Sequence, residues 1–336
     1  MDALFAVYND EHGSERIMPM KGHVFDGHCD VLFRLWEKGD AQLFFTSAEE
    51  LHCSFQRLKK GQVKVQTMAI FVPPEVPQAQ KLTEALRMID IFHHHILRSA
   101  KGVRLIKDRE TLERVEQDDA LFVILSMEGA EPIGDNLLFL RTFYELGVRS
   151  MGLTWNHRNM VADGVGEPNP GGLSQFGIEV VEEMNRLKMA IDISHLAEPA
   201  FWDVISRSRQ PVMASHCNAR KLYEHRRNLT DEQLKAIFEM KGLVGINFVP
   251  YFLGGDDSVS IESVLYQIDH MVSLGGEDYI GFGSDFDGID STVQGLEHSG
   301  KWPRLIETCQ KHFSADFLDK ILFTNWKNYY LRVWSN

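Results

Sequence analysis

Six side chains of the kinds that hold divalent metals stand at the ends of apolar runs in this sequence. His28 and Asp30 lie in the segment DGHCD (26–30), straight after one such run. Glu128 follows LFVIL, His195 closes IDISH, His216 closes PVMASH, and Asp285 follows GFGS. Imidazole nitrogen and carboxylate oxygen are the donors that zinc and similar cations take. Residues two apart on an extended segment face the same way, so His28 and Asp30 can reach one ion. Glu128 has two oxygens and can bridge two ions. His195 and His216 are one βα unit apart, belong to neighbouring strands, and can share the second. Each residue alone has a plainer reading: a hydrogen-bonded turn for His28 and Asp30, a helix-cap partner for Glu128, an unliganded strand-end histidine for the others. Their common position on one predicted face argues for a two-metal centre. The chemistry of such a centre is hydrolysis by a metal-bridging hydroxide, because two cations lower the pKa of a shared water.

The elements that must position these groups alternate in a βα rhythm, the pattern of a parallel sheet covered by helices. Strands are expected at His23–Gly27, Val63–Val72, Leu121–Ser126, Val148–Leu153, Ala190–Ile193, Pro211–Ala214, Val244–Phe248 and Tyr279–Gly283. Most are short and rich in Val, Ile, Leu or Phe, as strands buried on both faces should be. Helical spacing marks Thr83–Ser99, Leu138–Leu146, Ser174–Leu187 and Ser258–Leu274, and Thr230-Asp-Glu-Gln opens another helix with an N-cap and an acidic first turn. Gly147, Gly242 and Gly275 stand where helix C-caps belong. Trp155–Gly172, rich in Asn, Gly and Pro, reads as a long functional loop after the fourth strand. The tail from Lys301 to Asn336 reads as helical and aromatic, packed across one barrel end. No interdomain linker interrupts the pattern, so the expectation is an N-terminal extension over 1–22 and one barrel domain over 23–336.

The net charge of −13 leaves no basic excess for nucleic acid. No apolar run approaches the roughly 18 residues that span a membrane, and the N-terminus lacks a signal-peptide pattern, so no membrane anchor is expected. Cys29, Cys53, Cys217 and Cys309 show no CxxC spacing and read as free thiols of a cytoplasmic protein. His93, His94 and His95 lie in a helical stretch and read as surface residues. His12, His52, His225, His270, His298 and His312 have no strand-end placement.

The order and spacing of DGHCD, SMEGAEPIGD, IDISH, SHCNARKLYEHRRN and GFGSDFDG resemble the membrane dipeptidase family, the renal-dipeptidase-like metallopeptidases, over most of the chain, from Asp26 to beyond Gly288. The resemblance is to a soluble, bacterial-type member. It implies an α/β fold, a single-domain (β/α)8 TIM-type barrel with a C-terminal helical extension. It implies a zinc-dependent dipeptidase with two Zn2+ per protomer, other divalent metals serving in vitro. His28 and Asp30 would hold one zinc, Glu128 would bridge, and His195 and His216 would hold the other. Arg227 corresponds to the family arginine on the substrate carboxylate, and Asp285 to the acidic residue near the scissile amide, acting as general base and then acid. Free dipeptides are the implied substrates, those with a C-terminal D-residue included, and a homodimer is the common family assembly.

The family's mammalian pattern has Leu-Thr-His after the fourth strand, with that histidine over the substrate carbonyl. Here the segment is Leu153-Thr154-Trp155-Asn156-His157. Trp155 takes the family histidine's place, and His157 is expected to assume its catalytic and substrate-binding role; the plainer reading is a polar residue that stabilises the loop. Asp26 and Asp287 read as braces, and Asn247 as a substrate contact. The competing function is another two-metal barrel hydrolase acting on a non-peptide amide or lactone. Such barrels begin with His-x-His and bridge with lysine, whereas this chain has His28-x-Asp30 and Glu128. A catalytically silent binding barrel is the other alternative, and it would be expected to have lost ligands.

Overall fold

Apolar runs buried on both faces form the staves of a closed parallel sheet. The computed structural model describes residues 23–46, 49–99, 102–255 and 259–335, so the expected extension over 1–22 and His12 lie outside the described residues. The strands are β1 (Val24–Cys29), β2 (Val63–Phe71), β3 (Val103–Leu105), β4 (Leu121–Glu128), β5 (Val148–Gly152), β6 (Ala190–Asp192), β7 (Met213–Ala214), β8 (Leu243–Ile246) and β9 (Ile280–Phe282). All are parallel to their neighbours. Because β2 pairs directly with β4, and β9 returns to β1, eight strands close a (β/α)8 barrel. β3 is additional: it runs beside the first half of β4, from Val103 opposite Leu121 to Leu105 opposite Val123, while β5 joins β4 only from Leu125 onward.

The pleat of β4 shows how the barrel aims its chemistry. Leu121, Val123, Leu125 and Met127 point outward into the layer beneath the helices. Phe122 and Ile124 point inward to a second apolar cluster. Strand alternation places Ser126 and Glu128 on the same inward side, one above the other toward the C-terminal mouth. A one-residue slip would send Glu128 outward, and the apolar outer face is what fixes the register.

Helices begin where the sequence signals them. Ser174 accepts a hydrogen bond from the Gly177 amide at the start of Gln175–Leu187. Thr230 and Gln233 form a reciprocal capping box ahead of Asp231–Glu239. One expected helix differs: the stretch expected at Thr83–Ser99 starts at Gln78 and, after Asp90, widens into a π-turn over Ile91–Leu97, with His94 and His95 exposed and His93 donating to the Leu146 carbonyl.

The opposite end of the barrel is sealed by the chain's last helix, Asn325–Val333. Trp326, Tyr329 and Tyr330 are fully buried there among Phe25, Ile124, Met213 and Leu243. Trp326 stacks on Phe25 at 5.6 Å and donates its indole N–H to the Phe282 carbonyl at 2.9 Å. The indole fits only because position 27 is glycine: a Cβ there would lie 2.0 Å from the ring. No helix among the described residues is long and apolar enough to cross a membrane.

Candidate active site

At the C-terminal mouth, where barrel enzymes gather their catalytic groups, the strand ends bring the predicted residues together. His28 Nε2 lies 3.3 Å from Asp30 Oδ2, 3.6 Å from Glu128 Oε2 and 3.9 Å from Asp285 Oδ1. His195 Nε2 lies 2.9 Å from Glu128 Oε1 and 2.9 Å from His216 Nε2. His216 Nε2 lies 3.6 Å from Glu128 Oε1. Donor atoms of His28, Glu128 and His216, and of His28, Asp30 and Asp285, all fall within 4.8 Å of one another. Glu128 turns Oε1 toward His195 and His216 and Oε2 toward His28, and the His28 and His216 rings lie 3.9 Å apart.

The donor set fits divalent cations. His195 donates its Nδ1–H to Asn156 Oδ1 at 2.8 Å, which leaves the Nε2 lone pair facing Glu128 and His216. Burial holds His195 down to about 4, with Arg227 pushing the same way, and burial with the neighbouring His28 holds His216 well below the usual histidine range. Both are therefore neutral ligand-type imidazoles at pH 7. Three lone-pair atoms converging at 2.9–3.6 Å repel one another until a cation sits among them. On the other side, both ring nitrogens of His28 and Oδ1 of Asp30 are buried without a hydrogen-bond partner. Burial and the neighbouring Glu128 push the Asp30 carboxyl well above the usual range. Burial also raises Asp285, with His28 pulling against it. For Glu128, burial is outweighed by the adjacent His28 and His195, and its carboxyl is held well below that range. Carboxylates this crowded and this dry need positive charge beside them.

Hydrogen bonds brace several of the strand ends and loops that carry these groups. Asp192 accepts from the Ser194 and Ser215 amides and from the Ser215 hydroxyl, which in turn meets His216 Nδ1 at 2.7 Å. Asp26 accepts from Ser284 N at 2.9 Å and Ser284 Oγ at 2.6 Å, tying β1 to the Asp285 loop. Asp287 accepts from the His52 and Cys53 amides at 2.7 and 2.9 Å, bracing the same loop. His195, Asp285 and Asp287 hold φ of 65°, 64° and 69°, left-handed backbone that is costly for residues with a Cβ and that aims side chains off the strand ends. Gly288 closes the loop over the site, where a Cβ would lie 2.3 Å from Asp30 Oδ2.

A cleft of about 250 Å³ opens onto these groups, with Trp155, Arg227, Phe252 and Asp285 in its walls. Arg227 is 5% exposed. Its guanidinium sits 5.5 Å over Phe252, its Nη2 reaches the His216 carbonyl at 3.3 Å, and its Nε has no partner. Asn247, expected as a substrate contact, is buried and donates to Asp285 Oδ2 at 3.0 Å.

His157 is not brought to this cluster, and that corrects the sequence expectation. Its side chain is 64% exposed and 4.0 Å from Glu167. It lines a neighbouring depression that shares Trp155 with the cleft. The residue the loop does turn inward is Asn156, bonded to His195. Sequence reading missed Asn156 and Asp192. Asp192 could have been found, since alternation on β6 puts it on the inward side with Ala190.

Comparison with known proteins agrees with this geometry. The family description "Membrane dipeptidase (Peptidase family M19)" matches residues 14–336. An uncharacterized dipeptidase of Schizosaccharomyces pombe is 31% identical over 333 residues, covering 93% of this chain and 80% of its own length. The crystal structure of a metallo peptidase from Rhodobacter sphaeroides, liganded with a phosphinate mimic of the dipeptide L-Ala-D-Ala, superimposes with TM-score 0.87 at 31% identity, covering 93% of this chain and 99% of that one. The structure of dipeptidase AC, a metallo peptidase of the same family, gives TM-score 0.89 at 31% identity over 94% and 99% of the two chains. The chain belongs to the membrane dipeptidase family, peptidase family M19, and is a metallo-dipeptidase of the hydrolase class.

Proposed function

We propose that this protein hydrolyses free dipeptides, including those ending in a D-residue, with two Zn2+ per protomer. The observation that carries the reading is a single cleft in which the cluster of metal-type donors faces a buried arginine with an unpartnered Nε. His28 and Asp30 would hold one zinc, His195 and His216 the other, with Glu128 between them. When bound, such a pair acidifies a shared water and polarises the scissile carbonyl. Carboxylate-bearing sites of this kind accept other divalent metals in vitro.

Arg227 binds the substrate's terminal carboxylate, since a planar guanidinium meets a carboxylate in two parallel hydrogen bonds. With the carboxylate so held, the scissile amide lies one residue from the C-terminus. Asp285, held by Asn247, takes the proton of the attacking water and returns it to the leaving amine nitrogen. Trp155 forms an apolar wall where the mammalian pattern has a histidine, and His157 has no part in the chemistry. The ligand of the Rhodobacter relative mimics L-Ala-D-Ala, which supports acceptance of a C-terminal D-residue. Four buried free cysteines suit a reducing, cytoplasmic setting. The assembly proposed is a homodimer.

The test is steady-state hydrolysis by zinc-loaded protein of free dipeptides, the same dipeptides C-terminally amidated, and tripeptides. Turnover confined to free dipeptides is the expected result. Two bound metals without turnover of any peptide would move the substrate to a non-peptide amide or lactone.

A further inference from the structure

A second cavity of about 150 Å³ adjoins the cleft and shares Arg227 and His195 with it. The reaction proposed above uses only one of the three arginines in its lining. Arg220 and Arg226 are the others, and Glu198 is the one carboxylate among the described lining residues. Glu198 Oε2 stays 4.0 Å from Arg220 Nη1, and its side chain is half exposed. Three guanidinium groups, Arg227 buried, Arg220 half-buried and Arg226 exposed, therefore meet one negative charge, in a chain whose net charge is −13.

Backbone carbonyls help to place these arginines, and among the described residues Arg220 alone of the three has a carboxylate, Glu198, within ion-pair distance. Arg220 Nε donates to the Asn228 carbonyl at 3.0 Å, and Arg226 Nη1 to the Val165 carbonyl at 3.2 Å. Among the described residues no carboxylate lies within ion-pair distance of Arg226 or Arg227, and Nε of the buried Arg227 has no acceptor at all. A buried guanidinium in that state is unfavourable until an anion reaches it; the terminal carboxylate is that anion for Arg227, which leaves Arg220 and Arg226 to meet a second one. A second feature points the same way. The helix Glu198–Arg207 starts at this cavity with no side-chain cap on its N-terminus, and its first-turn amide dipoles add positive potential there that Glu198, in the same turn, partly offsets.

We propose that the cavity binds the side-chain carboxylate of the substrate's C-terminal residue, so that the preferred dipeptides end in aspartate or glutamate. The proposal rests on the dipeptidase reading, because Arg227 must hold the terminal carboxylate for the side chain to enter. A C-terminal residue anchored that way carries its second carboxylate two or three bonds further on, toward Arg220 and Arg226. Ile193 and Leu229 supply apolar surface for its methylene groups. An asparagine side chain of the same shape leaves the guanidinium charges unpaired.

The test compares kcat/KM of the zinc-loaded enzyme on Ala-Asp and Ala-Asn, each with an L- or D-C-terminal residue, in wild type, R226Q and R226K. Loss of a charge-assisted contact predicts that wild type favours aspartate by about tenfold or more, that R226Q removes most of this ratio, and that R226K restores part of it. A wild-type ratio near one, or a ratio that survives R226Q, overturns the proposal. Thermal melting in free aspartate and free asparagine reads the cavity without turnover. Aspartate is expected to raise the wild-type midpoint further than asparagine, with the difference lost in R226Q; equal shifts overturn the assignment. An aspartate-specific shift without turnover of any dipeptide supports the carboxylate site while removing the dipeptidase reading. Inorganic phosphate is the other source of an oxyanion. If it raises the midpoint as far as aspartate, and lowers kcat on Ala-Ala without raising KM, the cavity serves a free anion and the substrate assignment fails.

Discussion

The two ends of this barrel are built from opposite materials. At the C-terminal mouth, three strand-end residues hold left-handed backbone, carboxylates crowd around one imidazole, and Arg227 is buried with an unpartnered donor. At the other end, Trp326, Tyr329 and Tyr330 fill the lumen, and the indole N–H has its carbonyl acceptor. One end is apolar and well packed; the other stores strain and uncompensated charge. Such conformations persist only where the surrounding fold over-determines them. The aromatic plug thus contributes stability that the mouth lacks, and the mouth carries chemistry that the plug does not touch.

Substitutions at the two ends should therefore fail in different ways. Asp285→Asn is expected to lower kcat by about a thousandfold, the scale of a lost general acid–base group, with the melting midpoint little changed. Trp326→Ala is expected to cost about 3–5 kcal/mol of stability by opening a cavity in the plug. Its kcat per folded, metal-loaded molecule should stay near wild type. Stopped assays paired with calorimetric melting check both, and a Trp326→Ala enzyme that folds stably yet loses turnover would break the separation.

The plug and the metal-type side chains were legible in the sequence for different reasons. Apolar runs rich in Val, Ile and Leu marked all eight barrel strands, and strand-end position marked His28, Asp30, Glu128, His195, His216 and Asp285. The side strand β3 escaped notice because Val103-Arg104-Leu105 is three residues long and carries a charge at its centre. The left-handed backbone at His195, Asp285 and Asp287 is only weakly marked by residue type: Asp and His are enriched in that region among residues with a Cβ, yet most Asp and His adopt other conformations. His157 failed for a related reason. Two-residue alternation holds on extended chain, but the segment after β5 is a bend, and it turns Asn156 rather than His157 inward.

The remaining substitutions sharpen the comparison within the mouth itself. Arg227→Ala should raise KM for free dipeptides by about tenfold to a hundredfold through loss of the charge-assisted pair, and should affect C-terminally amidated peptides less. An unchanged KM would remove its carboxylate role. Asn156→Ala should weaken metal binding by about tenfold, as loss of a histidine's orienting partner does, whereas His157→Ala should change metal affinity and kcat/KM less than twofold or so. Competition titration against a chelating dye distinguishes these two neighbours. The reverse order of effects would restore His157 to the site.

The most direct measurement is a zinc titration of metal-stripped protein, with bound metal and hydrolysis of a free dipeptide followed together. Two equivalents are expected to bind per protomer, with turnover rising as the second is filled. Full turnover at one equivalent, or none at two, would rule out the two-metal centre.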